Sequence, residues 1–229
     1  MKIERVLVFN LPKNKERRWF AEGTLWSLGF PRTQIDFVKC RHWADYQDVN
    51  QLRAAAVDDG FDFFMSGVNK ERWGIPVASL PNTFSAVAAH WSWCIALRDI
   101  INAAKNTILL VDDTMPTITF AQFESMIEAI PPKGGVQLSM KPMIFDYGFP
   151  FGDITHATAY LGRGYAAASD LGFILSPAMA KDFLLISHTR RSSTVPLAYR
   201  DMYGTEGCFH VLSPVLSHHH YFSSDWKYD

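Results

Sequence analysis

The segment from Thr107 to Thr119 constrains the fold of this chain more than any other stretch, because it joins a buried strand to two adjacent acids. Four consecutive apolar residues, Ile108 to Val111, are typical of a strand buried on both faces in a parallel or mixed sheet covered by helices. Asp112 and Asp113 follow directly, and Pro116 just beyond them is expected to stop any further ladder pairing.

The position of the two acids indicates a ligand site. Open α/β sheets bind ligands at the carboxyl ends of their strands, and Asp112 and Asp113 end such a strand. Adjacent carboxylates repel each other unless a cation or hydrogen-bond donors offset their charge. A solvated turn is the alternative interpretation of an Asp-Asp pair, but the buried strand in front of this pair favours a functional site.

Length and composition predict one α/β domain that spans residues 1–229. The net charge of −1 gives no electrostatic reason for extensive nucleic-acid binding. Three widely spaced cysteines without a CxxC motif favour a reduced, cytoplasmic protein. We expect no signal peptide and no transmembrane segment, since no apolar run approaches the ~20 residues that cross a bilayer. The oligomeric state stays open.

The amino-terminal segment predicts a βαβ unit. Arg5 to Asn10 is typical of a strand, Lys13 to Leu28 has apolar residues at helical spacing, and Gln34 to Lys39 alternates as a second strand. Asn14 is the predicted helix N-cap, and Gly29 follows the helix where a left-handed residue is expected.

Basic residues are concentrated at the turn between the first strand and the first helix, at Lys13, Lys15, Arg17 and Arg18. In this position they could face a diphosphate at the carboxyl edge of the sheet. They could equally form a solvated helix face, and the sequence alone leaves both possibilities open.

The rest of the chain predicts further helices and strands around the Asp112 strand. Helices are expected at Gln51–Val57, Ser85–Ala104, Phe120–Ile130 and Pro177–Ile186. Strands are expected at Phe61–Phe64, Val136–Met140, Met143–Tyr147 and Leu171–Leu175. Residues 67–80 are predicted to form a long loop, which in a compact domain is often functional.

Short motifs occur in a fixed order along nearly the whole chain. They are Val8–Leu11 with the basic Lys15–Arg18, then Ala89-His90, Ile108–Asp113, Gly172–Ala180, and Pro214–His218 with Ser224-Asp225. In type and order these motifs resemble glycosyltransferase family 25, which includes enzymes of lipopolysaccharide synthesis and of collagen modification. Similar short folds occur in virus-encoded glycosyltransferases, and in that case the location would be the host cytoplasm.

Three positions depart from the family pattern. Ala89 stands where the family has Ser, Val111 stands where it has the first acid of Glu-Asp-Asp, and His218 stands near its closing Gln. The loss of an acid at Val111 bears most directly on whether the chain is active.

The resemblance implies a single-domain GT-A fold of the nucleotide-diphospho-sugar transferase type, with a central, mostly parallel mixed sheet flanked by helices. It also implies a hexosyltransferase that moves a sugar from a nucleotide-diphosphate donor, expected to be a UDP-sugar, to an acceptor hydroxyl with inversion. A glycan, a protein side chain and a modified nucleobase are all conceivable acceptors.

The resemblance further implies a metal site that neutralises the departing diphosphate. Asp113 is expected to bind Mn²⁺ or Mg²⁺, with Asp112 near the donor sugar or ribose. A late histidine is expected to complete the shell, with His218 preferred over His219 and His220, and carboxylate with imidazole suits Mn²⁺. A polar surface tail is the alternative interpretation of the three histidines.

Five further residues are implied to contact the nucleotide-sugar donor, namely Asn10, Leu11, Arg17, Arg18 and His90. An inverting transfer also needs a base for the acceptor hydroxyl. The candidates are Asp153, Asp170 and Asp201, and the sequence does not choose among them; Asp170, beside the Leu171 strand, is marginally preferred.

Two other functions remain as alternatives. A catalytically degenerate sugar-nucleotide-binding module is favoured by Val111 in place of an acid. A receiver-like phospho-acceptor domain is suggested by the Asp pair together with Asp146, but over 100 residues precede the pair, which is unusual for that class.

Overall fold

A computed structural model of the chain describes residues 1–61, 84–138, 155–156, 161–163, 172–189, 207–211 and 215–218. The helices are α1 (Lys15–Ser27), α2 (Val49–Asp58), α3 (Phe84–Ala103), α4 (Phe120–Glu128) and α5 (Pro177–Thr189). The strands are β1 (Arg5–Asn10), β2 (Ile35–Lys39), β3 (Thr107–Val111), β4 (Thr114–Pro116), β5 (Gly135–Gln137), β6 (Thr155–His156), β7 (Leu161–Arg163), β8 (Gly172–Leu175), β9 (Cys208–Val211) and β10 (Leu216–His218).

Eight of the described strands form one mixed sheet in the order β2-β1-β3-β8-β5-β9-β7-β6. Six of them run in one direction, and β7 and β8 run against them. β1 lies between β2 and β3, parallel to both. The predicted mostly parallel mixed sheet is therefore confirmed.

Alternate residues of the central strands pack against helices on opposite faces of the sheet, as a period of two requires. On one face, Val6 and Val8 of β1 pack with Leu25 of α1 and Phe123 of α4. On the other face, Leu7 and Phe9 pack in the cluster formed by α3 and α5. Helices thus cover both faces, which explains why Ile108 to Leu110 of β3 are fully buried.

Local signals in the sequence predicted several element ends. The strand from Arg5 to Asn10 is confirmed with the same bounds. Gly29 has a φ of 80° directly after Leu28, the C-cap of α1, as expected of a left-handed residue there. Ser176 Oγ accepts a hydrogen bond of 3.1 Å from the Met179 backbone N–H at the start of α5. Asn14 occupies the N-cap position of α1, but its side chain makes no capping hydrogen bond.

The expectation that Pro116 stops ladder pairing was wrong. Pro116 is the last residue of β4, which pairs antiparallel with β10 through Pro116 and Leu216. Proline lacks only the N–H donor, so it is tolerated at the end of a short, two-stranded ladder.

The predicted strands at Phe61–Phe64 and Met143–Tyr147 lie outside the described residues, apart from Phe61, and so does the loop at residues 67–80.

The receiver-like alternative does not fit the observed sheet, because the antiparallel β8 lies directly beside β3. Receiver domains have the parallel order of the flavodoxin type.

Within the described part of the chain, no helix is both long and apolar enough to cross a membrane.

Candidate functional site at the carboxyl ends of β1 and β3

The parallel pairing of β1 with β3 brings the acid pair against the end of β1. Phe9 pairs with Val111, so the next residues, Asn10 and Asp112, emerge side by side. Asn10, Asp112 and Asp113 are all buried. Polar side chains buried at a strand end need partners, and their partners define the site.

Asn10 joins three elements at this edge. Its Nδ2 donates a 2.6 Å hydrogen bond to Asp112 Oδ2 and a 3.1 Å bond to the backbone oxygen of Asn14. The end of β1, the end of β3 and the start of α1 are therefore held together by one amide group. Thr114 Oγ1 donates to the Val111 oxygen at 2.8 Å and closes the turn that contains the two acids.

Arg17 supplies positive charge to both acids. Its Nη1 lies 3.2 Å from Asp112 Oδ1 and 3.7 Å from Asp113 Oδ2, and its side chain is only 11% exposed. Arg17 faces inward because it lies one turn before the buried Ala21 and two turns before Leu25. The repulsion expected between adjacent carboxylates is thus offset by Arg17 and Asn10.

The electrostatic balance at Asp112 still disfavours its charge. Burial raises the pKa of Asp112, and the Asp113 charge raises it further, although the hydrogen bond from Asn10 and the Arg17 guanidinium act to lower it. A carboxylate in such surroundings is stabilised by any additional cation that reaches the edge.

Arg18 and Arg17 point in different directions. The Arg18 guanidinium lies 4.0 Å from the ring centre of Phe37 and 3.3 Å from Glu22, and its side chain is 49% exposed. Arg18 therefore belongs to the solvated flank of α1, which was the alternative interpretation of this basic pair.

The other predicted donor contacts lie near this edge. Leu11 follows β1 directly, and its backbone oxygen accepts a 2.8 Å hydrogen bond from the Asn14 N–H. His90 is buried on α3, one turn before Trp93, whose ring centre lies 4.3 Å from that of Phe9. Because α3 leads into the start of β3, it runs back along the sheet, and its first half, which includes His90, lies toward the carboxyl ends of the strands.

The backbone of His218 returns to the acid pair. In the antiparallel pairing of β10 with β4, His218 is opposite Thr114, the residue after Asp113. This is the folding back of the tail that a metal ligand at His218 requires, although its side chain lies outside the described residues. His219, His220, Asp153, Asp170 and Asp201 also lie outside them, so the choice of base stays a prediction.

Two residues at this edge, Cys40 and His42, were missed in the sequence. Cys40 directly follows β2, at the edge of the sheet where Asn10 ends β1. Burial raises the pKa of the Cys40 thiol to about 12; the Asp112 charge adds to this rise, and a backbone hydrogen bond from Asn10 opposes it. Lys13 Nζ and His42 Nε2 are 3.3 Å apart and join the loops after β1 and β2. The rule that ligands bind at the carboxyl ends of strands, which drew attention to the two acids, would also have identified Cys40 after β2.

The acids fit part of a divalent-cation shell. Carboxylate oxygens suit Mg²⁺ and Mn²⁺. Both oxygens of Asp112 are engaged by Asn10 and Arg17, whereas Arg17 is farther from Asp113. Among the residues that the structure describes, no group of three potential ligands forms a complete site. Asp113 is the better placed acid for a cation, and further ligands would have to come from elsewhere.

Comparisons with known proteins give no sequence match, and the structural similarities they give are distant; one is described below. No protein-family model matches the chain, and no curated protein matches its sequence. The structure of mannose-1-phosphate geranyltransferase from Thermus thermophilus is similar over 95% of this chain and 76% of that chain, with 13% sequence identity and a TM-score of 0.45. At this identity and TM-score the similarity carries no conclusion about activity.

Proposed function

We propose that this chain is a glycosyltransferase that uses a nucleotide-diphosphate sugar, expected to be a UDP-sugar, and transfers its sugar to an acceptor hydroxyl with inversion. The observation that carries the proposal is the convergence of Asn10, Arg17, Asp112 and Asp113 at one buried strand edge, with the backbone of His218 beside them. The resemblance to family 25 and the antiparallel β8 within a mostly parallel sheet support a GT-A fold.

The residues at the edge have distinct roles in this proposal. Asn10 and Leu11 line the nucleotide at the end of β1, and His90 contributes from α3. Arg17 holds Asp112 in the orientation that receives the donor sugar or ribose. Asp113, with His218, binds Mn²⁺ or Mg²⁺, which when bound supplies positive charge to the departing diphosphate.

The acceptor side of the reaction requires a base. Asp170 is the proposed base and Asp153 the second candidate, since a carboxylate within reach of the acceptor hydroxyl would take its proton. A glycan, a protein side chain or a modified nucleobase would present such a hydroxyl.

A donor screen by thermal unfolding tests the proposal. UDP-, GDP- and CMP-sugars are added with and without Mn²⁺, and a ligand at about 100 times its Kd stabilises the fold by about 2.7 kcal/mol. We expect a UDP-sugar to stabilise the protein only with Mn²⁺. No stabilisation by any of these donors would refute the proposal.

The late histidines have their own test. His218→Ala should raise the Mn²⁺ concentration needed for transfer, and His219→Ala should have less effect because alternate residues of a strand point to opposite sides. Because only neutral imidazole binds metal, donor affinity should also fall as the pH drops through ~6.5. Equal Mn²⁺ dependence in all variants would return the cluster to a polar tail.

A catalytically degenerate sugar-nucleotide-binding module is the second candidate. It is favoured by Val111, which stands in the place of an acid and pairs with Phe9 inside the sheet. Arg17 would then offset the acids without a metal. Hydrolysis of the bound donor in the presence of Mn²⁺ separates the two candidates, because a degenerate module binds the donor without cleaving it.

A further inference from the structure

The outward face of α1 carries the two most exposed large apolar side chains in the described part of the chain. Trp19 is 68% exposed and Trp26 is 78% exposed. They are two helical turns apart and so lie on the same face. Ala21 and Leu25 occupy the opposite, buried face of the helix, so both tryptophans point directly away from the core.

The surface along these tryptophans is open and continues beyond the helix. At Gly23, which lies between them, a Cβ would have no heavy atom within 4 Å. Beyond Trp26, the ring of the half-exposed Phe120 lies against Gly29. Trp19, Trp26 and Phe120 together are termed the aromatic stripe.

Basic groups border the aromatic stripe. Glu22 lies 3.3 Å from Arg18 and 3.2 Å from Arg32, so it holds two guanidinium groups along the flank of α1 that faces β2. Arg32 is 82% exposed. Lys15 lies one turn before Trp19 on the same face. Apart from the inward-facing Arg17, residues 13–32 include four basic and two acidic residues, whereas the net charge of the whole chain is −1.

We propose that the aromatic stripe and its basic border dock this protein peripherally on an anionic lipid bilayer. Trp side chains favour the head-group region of membranes, because the ring is apolar and its N–H can remain hydrated. Lys and Arg beside them are attracted to anionic head groups. The combination of exposed Trp and local positive charge matches this surface in both polarity and charge.

A helical protein partner fits this face less well. Helix pairing needs a continuous seam of apolar residues, and here Glu22 and Gly23 interrupt the seam between Trp19 and Trp26. The docking proposal does not depend on the proposed transferase activity. Because α1 starts at the carboxyl ends of the strands, docking through its outward face would hold that edge close to the bilayer.

Sedimentation with vesicles tests the proposal. Wild-type protein is mixed with vesicles of a roughly 3:1 mixture of phosphatidylcholine and phosphatidylglycerol, or with phosphatidylcholine alone. We expect binding to the anionic vesicles that salt weakens. Trp19→Ala with Trp26→Ala should lower the partition coefficient at least about tenfold. Arg32→Gln should lower it about fivefold, the effect of one basic residue near an anionic surface.

Leu185→Ala is the matched control, since Leu185 is an exposed apolar residue on a different helix, α5. It should leave the partition coefficient unchanged, and circular dichroism should show that all variants are folded. No binding to anionic vesicles beyond that to neutral ones would overturn the proposal. So would an equal loss in Leu185→Ala and the double variant. A dimer that the double variant disrupts, without vesicle binding, would instead assign the stripe to contacts between copies and overturn membrane docking.

Discussion

Replacing Arg17 with Ala tests whether its guanidinium stabilises the acid pair. Nη1 lies 3.2 Å from Asp112 and 3.7 Å from Asp113 in largely buried surroundings. Removal of one partner from a buried ion pair costs about 3–5 kcal/mol. Asn10 keeps its hydrogen bond to Asp112, and the carboxyl can take up a proton. We therefore expect Arg17→Ala to lower the free energy of unfolding by about 2–4 kcal/mol at neutral pH.

The pH dependence of this loss follows from Asp112. Burial raises its pKa, and Arg17 is one of the groups that lower it, so the variant should have a still higher folded-state pKa. A carboxyl whose pKa is raised on folding favours the folded state at low pH, and this contribution is lost as the pH rises through the folded-state pKa. The deficit of Arg17→Ala against wild type should thus be largest at neutral pH and shrink toward about pH 4.

Urea denaturation at the two pH values measures the deficit. Arg18→Ala is the matched control: it removes the same charge from the next residue, where the side chain is half exposed, and should cost less than about 1 kcal/mol. Equal deficits in the two variants, or an Arg17→Ala deficit that does not change with pH, would refute the assigned role of Arg17.

Three further predictions concern the surrounding fold. Asp59→Asn should lower the free energy of unfolding by about 1–3 kcal/mol at neutral pH. Burial acts to raise the pKa of Asp59, but hydrogen bonds from Arg98 and Trp91, together with the charges of Arg98 and Arg41, hold this pKa below its usual value. Wild-type stability from this group should be present above the unfolded value of about 3.9 and lost as the pH falls through the lower folded value, which acid denaturation of wild type and variant checks. Gly172→Ala should lower the unfolding free energy by about 1–3 kcal/mol in thermal melting, because the added Cβ would lie 2.7 Å from side-chain atoms of Leu110 and Leu216. Gly23→Ala is the control: Gly23 lies on a helix with open space around it, so this variant should not be destabilised. Cys94, whose thiol pKa burial raises to about 12, should resist alkylation at pH 8 until the protein is unfolded, as mass spectrometry would detect.

The elements of the amino-terminal half were predictable because their signals are local. The apolar runs of β1 and β3 and the glycine after α1 each specify their own conformation. The role of Pro116 was not predictable in this way. Its strand pairs with β10, about a hundred residues later in the chain, and no local pattern reports such a partner.

Part of the candidate site was predictable, because the carboxyl ends of parallel strands meet at one edge of the sheet. The acids and Asn10 follow from this rule, and the rule extended to β2 would have included Cys40. Arg17 and Arg18 are adjacent in the sequence, but the helical phase set by Ala21 and Leu25 places their side chains in different surroundings. The contact of Lys13 with His42 depends on the conformations of two loops, which the sequence patterns do not determine.

Isothermal titration of the protein with UDP, in the presence and absence of Mn²⁺, tests the central assignment most directly. Asp113 is buried in the turn after β3 and precedes Thr114, which pairs with His218 of the returning β10, so it is the proposed metal ligand. We expect wild type to bind UDP with Mn²⁺-dependent affinity, and Asp113→Asn to keep its fold but lose more than about tenfold of that affinity. The same Mn²⁺-dependent affinity in wild type and Asp113→Asn would contradict the assignment.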